Sequence, residues 1–410
     1  MSRSGAWTLE RAEAHLLSLE LFGMRFGLER MRRLLTVLGS PQRAFRAIHV
    51  VGTNGKSSTV RMAAGILEEH GVRTGSYLSP HLSTFAERIR IGDADSDPAA
   101  FGAAVQRAAE AAAMVDRTLS GGERVTQFEL MTAAALSELA RREVEVAVVE
   151  AGLGGRHDAT NVLDAPVVAL TNVGLEHTRW LGPTVADIAR EKLAVVVPGA
   201  TLVVGELDAE AEAEVAKVDA RVVHAGSGAD SVLRGFQRSN FAVARAAADA
   251  LIGPLDETAV LRAATAVDVP GRFQVVAEEP LTIFDGAHNP SGVAALASAL
   301  TEAIEARPLV AVVSVLDDKD AAGMLSALLP LCAGAVFTAS RNPRALSPAT
   351  LASLAAQLGG PPSEIESDPR RAVERAQELA GRGGAVVATG SIYLVADLLS
   401  DPGRRAASAL

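Results

Sequence analysis

The residues that most clearly indicate chemistry lie in one short loop, positions 52–58, which reads Gly-Thr-Asn-Gly-Lys-Ser-Ser. A β-rich run at 47–51 precedes this loop, and a run with helical periodicity at 58–70 follows it. A glycine turn between a strand and a helix offers a phosphate backbone N–H groups, the positive end of the helix and, here, the Lys56 ammonium. The serine hydroxyls can then bind Mg²⁺. We therefore predict that a nucleotide is bound by Gly52, Thr53, Asn54, Gly55, Lys56, Ser57 and Ser58.

The spacing of this loop is shorter than that of a full Walker A motif, because Val50 occupies the position of that motif's first glycine. An ordinary Gly-rich turn before a helix would require neither the lysine nor the serines. The combination of strand, lysine and serines therefore favours nucleotide binding.

Glu150 follows another apolar run, residues 144–149. Its carboxylate is thereby expected at the carboxyl end of a buried strand, where open α/β sheets bind ligands. A solvated glutamate at a strand end would have the same position, but the Gly-rich segment 151–155 that comes next favours a metal ligand.

Asp285 and His288 follow the β-rich run 281–284 in the same manner. Asn289 can cap the helix that begins at Pro290, and this capping explains both of those residues. It does not explain why the strand should end in Asp-Gly-Ala-His.

The elements that must position these residues alternate along the chain, with β-rich and helical runs succeeding each other from residue 46. The pattern predicts an α/β fold with a parallel sheet covered by helices, and strands at 47–51, 144–149, 166–170, 201–204 and 221–224. A second alternation follows Pro270-Gly271, with strands at 281–284, 309–315, 335–339 and 385–388. We therefore predict two domains, 1–269 with the phosphate-binding loop and a smaller, Rossmann-like 270–410.

Composition excludes several classes of protein. The 410 residues are 49% apolar and 21% charged, which is typical of globular domains. The single cysteine, Cys332, permits no intrachain disulfide and no multi-cysteine zinc site. A net charge of −10 argues against nucleic-acid binding. No export signal or membrane span is indicated, since Pro330 and Gly334 interrupt the uncharged stretch 321–340, so we expect a cytoplasmic protein.

Five blocks of motifs are spread along nearly the whole chain, at 22–30, 52–58, 79–82 with 87–90, 150–161, and 285–290. Shorter motifs lie between the last two blocks, at Glu176-His177, Arg190–Lys192 and Gly271–Gln274. In this order the motifs resemble the folylpolyglutamate synthase and dihydrofolate synthase family of the Mur ligase superfamily. Two residues depart from the family pattern: Ser57 replaces a usual glycine, and Glu176 a usual aspartate.

The resemblance implies roles that the residues alone do not. It assigns Mg²⁺ to Ser79, Glu150 and His177, although Mg²⁺ prefers oxygen ligands and a lone histidine is not an obvious choice. It implies that Lys192, which its charged neighbours would predict to be a solvated helix lysine, carries a carbamate. It assigns the remaining site residues as follows: Asp285 and His288 to an active site between the domains, Arg272 to the ATP phosphates on domain closure, Asn240 to adenine, Lys319 and Ser391 to the glutamate site, and His81 and Asp158 to the folate pocket.

The activity implied is an ATP- and Mg²⁺-dependent amide ligase that adds L-glutamate to folates and, by resemblance to the bifunctional bacterial enzymes, also to dihydropteroate. The implied partners are small molecules only, and we expect a monomer. Three alternatives remain: a folylpolyglutamate synthase alone, another Mur-type ligase, and a nucleotide-dependent switch that hydrolyses ATP. The early position of the loop, at Gly52, leaves no room for the additional N-terminal substrate domain of ligases that act on muramyl peptides.

Overall fold

The computed structural model describes residues 5–19, 27–228 and 232–400. Of the predicted motif at 22–30, positions 22–26 lie outside the described residues. The chain divides into two compact units. The first comprises the residues up to His81, Phe85–Leu233 and Gln237–Val267, and the second comprises Leu82–Thr84, Arg234–Phe236 and the residues from Asp268 onward. The boundary near residue 269 that the Pro-Gly pair indicates remains a prediction.

The first unit is built on an eight-stranded sheet with the order β4-β3-β2-β5-β1-β6-β7-β8. Its pairs are parallel from β2 to β8, and the two pairs that β3 makes, with β2 and β4, are antiparallel. The strands are β1 Arg46–Val51, β2 Thr74–Tyr77, β3 Ile89–Ile91, β4 Ala94–Asp95, β5 Val146–Glu150, β6 Val167–Leu170, β7 Thr201–Val204 and β8 Arg221–His224.

Helices accompany this sheet, and the central strands are buried on both faces. Along β5, Ala147 and Val149 pack into one apolar cluster, whereas Val146 and Val148 pack into another. This explains the continuous apolar run in the sequence, since a strand covered on both faces need not alternate. The helices are α1 Leu9–Leu17, α2 Glu29–Val37, α3 Lys56–Glu69, α4 Pro98–Asp116, α5 Gln127–Arg141, α6 Thr178–Leu181, α7 Val185–Leu193, α8 Ala209–Val215, α9 Phe236–Ile252 and α10 Glu257–Ala266.

The second unit contains a six-stranded sheet with the order β13-β12-β11-β14-β10-β9, parallel except for the β9–β10 pair. Its strands are β9 Gln274–Glu278, β10 Leu281–Phe284, β11 Leu309–Val313, β12 Cys332–Phe337, β13 Ser363–Ile365 and β14 Ala385–Thr389. Its helices are α11 Pro290–Ile304, α12 Ala321–Leu328, α13 Pro348–Gln357, α14 Pro369–Ala380 and α15 Ile392–Leu399.

The predicted α/β class is confirmed, and every predicted strand is present. Most of the observed strand ends lie within two residues of the predicted ones. The uncharged stretch 321–340 is the predicted helix followed by a strand, here α12 and β12. No helix in the described part of the chain is long and apolar enough to cross a membrane. The sequence patterns missed β2, whose residues Thr-Gly-Ser-Tyr lack the β-branched run of its neighbours although all four are buried.

Candidate functional site

The predicted nucleotide-binding residues of the first unit meet at the carboxyl edge of its sheet. The phosphate loop follows β1, Glu150 ends β5, Ser79 follows β2, and Thr171 follows β6. The strand order reverses its direction at β1, because the chain places β2 and β5 on one side of it and β6, β7 and β8 on the other. Such a reversal opens a crevice at the carboxyl ends of the strands, and this is where α/β sheets bind ligands.

The conformation of the loop depends on its glycines at two positions. Gly52 has a φ of 152°, and a Cβ there would lie 1.8 Å from Thr171 Oγ1. Gly55 has a φ of 82°, immediately before the first residue of α3, and a Cβ there would lie 2.2 Å from Asn240 Oδ1. Neither position accepts a side chain without rearrangement. The contact also places Asn240, predicted to bind adenine, directly beside the loop.

Residues 171–174, which the sequence patterns did not single out, hold the start of the loop. The side-chain oxygen of Asn172 accepts from Asn54 N at 2.9 Å, and its main-chain oxygen accepts from Thr53 N at 3.0 Å. The Thr171 hydroxyl donates to Asn54 O at 2.6 Å. The first N–H groups of α3 have no partner within the helix, as at any helix start, and are therefore the ones that a phosphate can bind. The only sequence signal for Asn172 was its position just past a predicted strand.

Glu150 links the loop to the segment after β2. Its carboxylate accepts from Ser57 Oγ at 2.9 and 3.0 Å and from the backbone N of Ser79 at 3.1 Å. Ser58 is buried, and its hydroxyl has no hydrogen-bond partner among the described residues. One carboxylate with serine hydroxyls and nucleotide phosphates suits Mg²⁺, which takes few protein ligands and keeps several waters. The residues present thus fit the ion.

His177, the third predicted metal ligand, stands apart from this set in its exposure. Its side chain is 37% exposed, its φ is 51°, and its Nε2 lies 3.8 Å from Glu176 Oε1. No group of three or more histidine, cysteine or acidic side chains suited to a metal occurs within the described ranges. The assignment of His177 to Mg²⁺ remains a prediction.

Lys192 is buried, with only 4% of its surface exposed, and its Nζ donates to Gly52 O at 2.7 Å. The interpretation of this residue as a solvated helix lysine is therefore wrong. Burial, assisted by the positive charge of Lys56, lowers the pKa of Lys192 to about 7. Near neutral pH a large share of the side chain is then the neutral amine, which is the form that reacts with CO₂. The carbamate on Lys192 remains a prediction.

The lowered pKa of Lys192 has a consequence for stability. Between about pH 7 and the usual pKa of 10.5, the unfolded chain binds a proton at this position that the folded chain has released. The free energy of unfolding should therefore rise with pH in this window, by up to about 1.4 kcal/mol per pH unit. We expect Lys192→Met to lack this contribution in CO₂-free buffer.

Urea unfolding followed by tryptophan fluorescence measures this effect, because Trp7 and Trp180 both lie in the first unit and are the only tryptophans of the chain. Wild type and Lys192→Met should diverge between pH 7 and 9.5. Parallel pH dependences of the two proteins would contradict the lowered pKa.

The two predicted folate-pocket residues are both buried. The Asp158 carboxylate accepts from Leu153 N at 2.7 Å and from the Thr160 hydroxyl at 2.5 Å, and burial raises its pKa. His81 Nδ1 accepts from Arg88 Nε at 3.0 Å, and burial followed by the Arg88 charge lowers the pKa of His81 well below its usual value. Both side chains are thus fixed by the protein itself, and their contact with a substrate remains a prediction.

In the second unit, Asp285 and its neighbours form a tight turn after β10. The buried Asp285 carboxylate accepts from Ala287 N at 2.7 Å and Phe273 N at 2.8 Å. Burial raises its pKa, and the Arg272 charge acts in the opposite direction. His288 Nδ1 lies 2.9 Å from Gly286 O, and because a carbonyl oxygen accepts, Nδ1 donates in this contact. The structure thus brings Arg272, Asp285 and His288 together.

Ser391 and Lys319 lie in loops that follow neighbouring strands of the same sheet, β14 and β11. Ser391 caps α15 by accepting from Tyr393 N at 3.1 Å. Lys319 Nζ lies 3.8 Å from Asp318 Oδ2, and 13% of its side chain is exposed. Two further buried hydroxyls at this edge, those of Ser340 and Thr389, have no hydrogen-bond partner within the described part of the chain. A buried hydroxyl without a protein partner can be satisfied by a bound polar group or by an ordered water.

Two family models match this chain: the Mur ligase middle domain at residues 50–275, and the Mur ligase glutamate ligase domain at residues 271–392. The chain is 36% identical over 381 residues to a Mycobacterium tuberculosis protein named dihydrofolate synthase/folylpolyglutamate synthase, with 82% of this chain and 78% of that protein covered. It is 35% identical over 415 residues to a Haloferax volcanii protein named probable bifunctional folylpolyglutamate synthase/dihydropteroate synthase. That match covers 93% of this chain and 49% of the relative, so the chain spans about half the relative's length.

Solved structures agree with these matches. A Mycobacterium tuberculosis folylpolyglutamate synthase complexed with ADP superimposes with a TM-score of 0.88 and 33% identity, covering 96% of this chain and 99% of that one. A Yersinia pestis bifunctional folylpolyglutamate synthase/dihydrofolate synthase complexed with AMPPNP and a Mn ion gives a TM-score of 0.86 and 29% identity, covering 97% and 99%.

Proposed function

Because the chain belongs to the folylpolyglutamate synthase/dihydrofolate synthase family of the Mur ligase superfamily, we propose that it is an ATP-dependent ligase that joins L-glutamate to folates and to dihydropteroate. One observation supports this most strongly. A phosphate-binding loop is bonded on one side to the Glu150 carboxylate and on the other to the buried Lys192 amine. Phosphate binding by the loop and Lys56 alone does not account for a second, buried lysine bonded to the same loop.

The reaction proceeds in two steps that share one intermediate. A carboxylate oxygen of the folate or pteroate attacks the γ-phosphorus of ATP, the bond to ADP breaks, and an acyl phosphate forms. The glutamate amine then attacks the acyl carbon, the bond to phosphate breaks, and the nitrogen loses a proton as the amide forms. Both steps bring anions together, so fixed cations lower the barrier.

The first unit supplies the groups for phosphoryl transfer. Lys56 and the N–H groups at the start of α3 bind and orient the ATP phosphates. Glu150, Ser57 and Ser79 would hold Mg²⁺, which neutralises phosphate charge when bound. His177 is the remaining proposed metal ligand, and Asn240 beside Gly55 contacts the adenine.

The second unit supplies the groups for the acceptor. We assign the glutamate site to the edge that carries Lys319 and Ser391, where the unpaired hydroxyls of Ser340 and Thr389 can donate to its carboxylates. His288, which lies in the turn after β10, is the proposed base that takes the proton the amine loses. Asp285 holds the turn in which His288 lies.

Residues 1–269 form the ATP-binding domain and residues 270–410 the glutamate-binding domain, with Arg272 acting on the ATP phosphates. His81 and Asp158 border the folate pocket. We further propose that the protein is a cytoplasmic monomer that binds neither nucleic acid nor membranes.

ATP turnover by the purified protein tests the function directly. We expect phosphate release only when both glutamate and a pterin carboxylate are present, because attack by the amine is needed to free the phosphate. Mass spectrometry should find dihydrofolate from dihydropteroate, and tetrahydrofolate extended by glutamate from tetrahydrofolate.

The outcomes separate the alternatives. Extension of tetrahydrofolate without formation of dihydrofolate would leave a folylpolyglutamate synthase alone. Phosphate release that needs neither co-substrate would favour a nucleotide-dependent switch, and ligation of a different carboxylate would favour another Mur-type ligase.

A further inference from the structure

His49 is a buried polar residue that none of the roles above uses. It lies in the middle of β1, fully buried, opposite Val149 of β5 and Val168 of β6. Its Nε2 lies 2.8 Å from Thr160 Oγ1, and its Nδ1 has no hydrogen-bond partner among the described residues. A polar ring at the centre of a parallel sheet costs free energy that an apolar side chain would not.

The hydrogen bonds fix the protonation of this histidine. The Thr160 hydroxyl donates its single proton to Asp158 Oδ1 at 2.5 Å, so it can only accept from His49. His49 is therefore the tautomer with the proton on Nε2. Burial lowers its pKa to about 4, which keeps the ring neutral at physiological pH.

The hydrogen bonds lead from His49 through Thr160 and Asp158 to the Gly-rich segment 151–155, which follows Glu150 and packs against the end of α7. The other oxygen of Asp158 accepts from Leu153 N at 2.7 Å, within the Gly-rich segment that begins after Glu150. The same segment packs against the last turn of α7, since a Cβ on Gly155 would lie 2.8 Å from Lys192 O. The next residue, Arg156, donates from its backbone N to Glu191 O at 3.0 Å.

We propose that His49 is a positioning residue for ligation: by donating to Thr160 it orients Asp158, and Asp158 holds the Gly-rich segment that sets the places of Glu150 and Lys192. This inference rests on the proposed function for its kinetic consequence, but the hydrogen-bond relay itself does not. The relay explains why a polar side chain occupies the strand that leads into the phosphate loop.

Two variants of His49 separate donation from mere packing. His49→Gln keeps a donor near the position of Nε2, whereas His49→Leu fills a similar volume without one. We expect His49→Leu to lower kcat about 10- to 100-fold, as loss of an outer partner of a metal site does. KM for ATP should change less than about threefold, because the loop N–H groups remain in place. His49→Gln should recover most of kcat.

Thr160→Val tests the next member of the relay, and its loss of kcat should not multiply with that of His49→Leu in the double variant. Val168→Ala is the matched control, since it disturbs the strand directly opposite His49 without touching the relay. Its kcat should stay close to that of the wild type.

Two measurements do not require activity. ¹⁵N NMR of histidine-labelled protein should show a proton on Nε2 and none on Nδ1 of His49. Hydrogen exchange of the peptide that contains Leu153 should speed up in His49→Leu and not in Val168→Ala.

The relay and the proposed function can fail separately. A wild-type protein with no ligase activity would overturn the function, while the NMR and exchange results would still decide the relay. Equal kcat loss in His49→Gln and His49→Leu, equal loss in Val168→Ala, or a proton on Nδ1 would overturn the relay.

Discussion

Replacing Lys56 with alanine should lower the ligation rate at least about 10²- to 10³-fold, the usual cost of removing one fixed group that stabilises charge in a transition state. The transferring phosphoryl group develops its charge where the loop and its lysine lie, and water cannot substitute for an oriented ammonium. In the structure, Lys56 Nζ donates to Gly52 O at 3.1 Å and to Thr53 O at 3.0 Å. A phosphate can exchange with these two carbonyls as the partner of the ammonium.

Stability should change little in the same variant. The side chain is partly exposed, and its hydrogen bonds within the described part of the chain go to two backbone carbonyls, so the free energy of unfolding should fall by no more than about 2 kcal/mol. Lys217→Ala is the matched control. This lysine is 67% exposed, pairs with Glu214 at 2.7 Å, and has no proposed role in nucleotide binding. It should keep full activity.

Product formation under saturating ATP, glutamate and folate, with circular dichroism of each variant, measures both effects. A folded Lys56→Ala protein that ligates at the wild-type rate would refute the assignment of the loop to phosphate binding.

The sequence predicted the loop because everything it needs is local. A strand, a glycine turn, a lysine and a helix start are consecutive, and the structure has α3 begin at Lys56, two residues before the run 58–70 that was predicted to be helical. The strands around it were predicted for a similar reason, since β-branched runs buried on both faces stand out as short apolar segments.

Burial of single polar residues was harder to predict, because it depends on contacts between distant segments. Lys192 follows the charged residues Arg190 and Glu191, which indicated a solvated helix. A signal was nevertheless present: Ile188 and Ala189 are buried and lie four and three residues before Lys192, so all three share one face of α7. The periodicity of that helix, rather than the local charge, indicated burial.

His49 and Asn172 were missed for different reasons. His49 is hidden inside an apolar run, where a lone histidine is ordinarily only a core residue. Asn172 acts on the loop through hydrogen bonds that span more than one hundred residues of sequence, and no local pattern marks such a contact.

Lys56 and Lys192 are also coupled electrostatically. The charge of Lys56 contributes to the lowered pKa of Lys192, and the Nζ atoms of both lysines donate to Gly52 O. A phosphate that binds Lys56 screens the repulsion between the two lysines. A carbamate on Lys192 makes that side chain an anion, so the repulsion with Lys56 becomes an attraction. The site is therefore arranged so that converting one of its two cations into an anion relieves the electrostatic strain between them.

Replacing Lys192 with alanine should accordingly abolish most ligation, by about 10²- to 10³-fold, if its carbamate is the group that acts beside the nucleotide. The neutral amine attacks CO₂, an N–C bond forms, one proton is released, and the side chain becomes an anion. Added acetate should partly restore Lys192→Ala by supplying a small carboxylate, whereas methylamine, which returns only the cation, should not. Lys192→Arg should be inactive as well, because a guanidinium remains cationic and forms no stable carbamate. Neither acetate nor methylamine should restore the carbamate-competent Lys56→Ala to the wild-type rate, which separates the two lysines.

Native protein equilibrated with ¹³C-bicarbonate should give a carbamate signal in ¹³C NMR that is absent from Lys192→Ala, and native conditions are essential because acid removes the group. A wild-type enzyme that is fully active in CO₂-free buffer and shows no such signal would refute the carbamate, and the loss in Lys192→Ala would then reflect the amine that donates to Gly52 O.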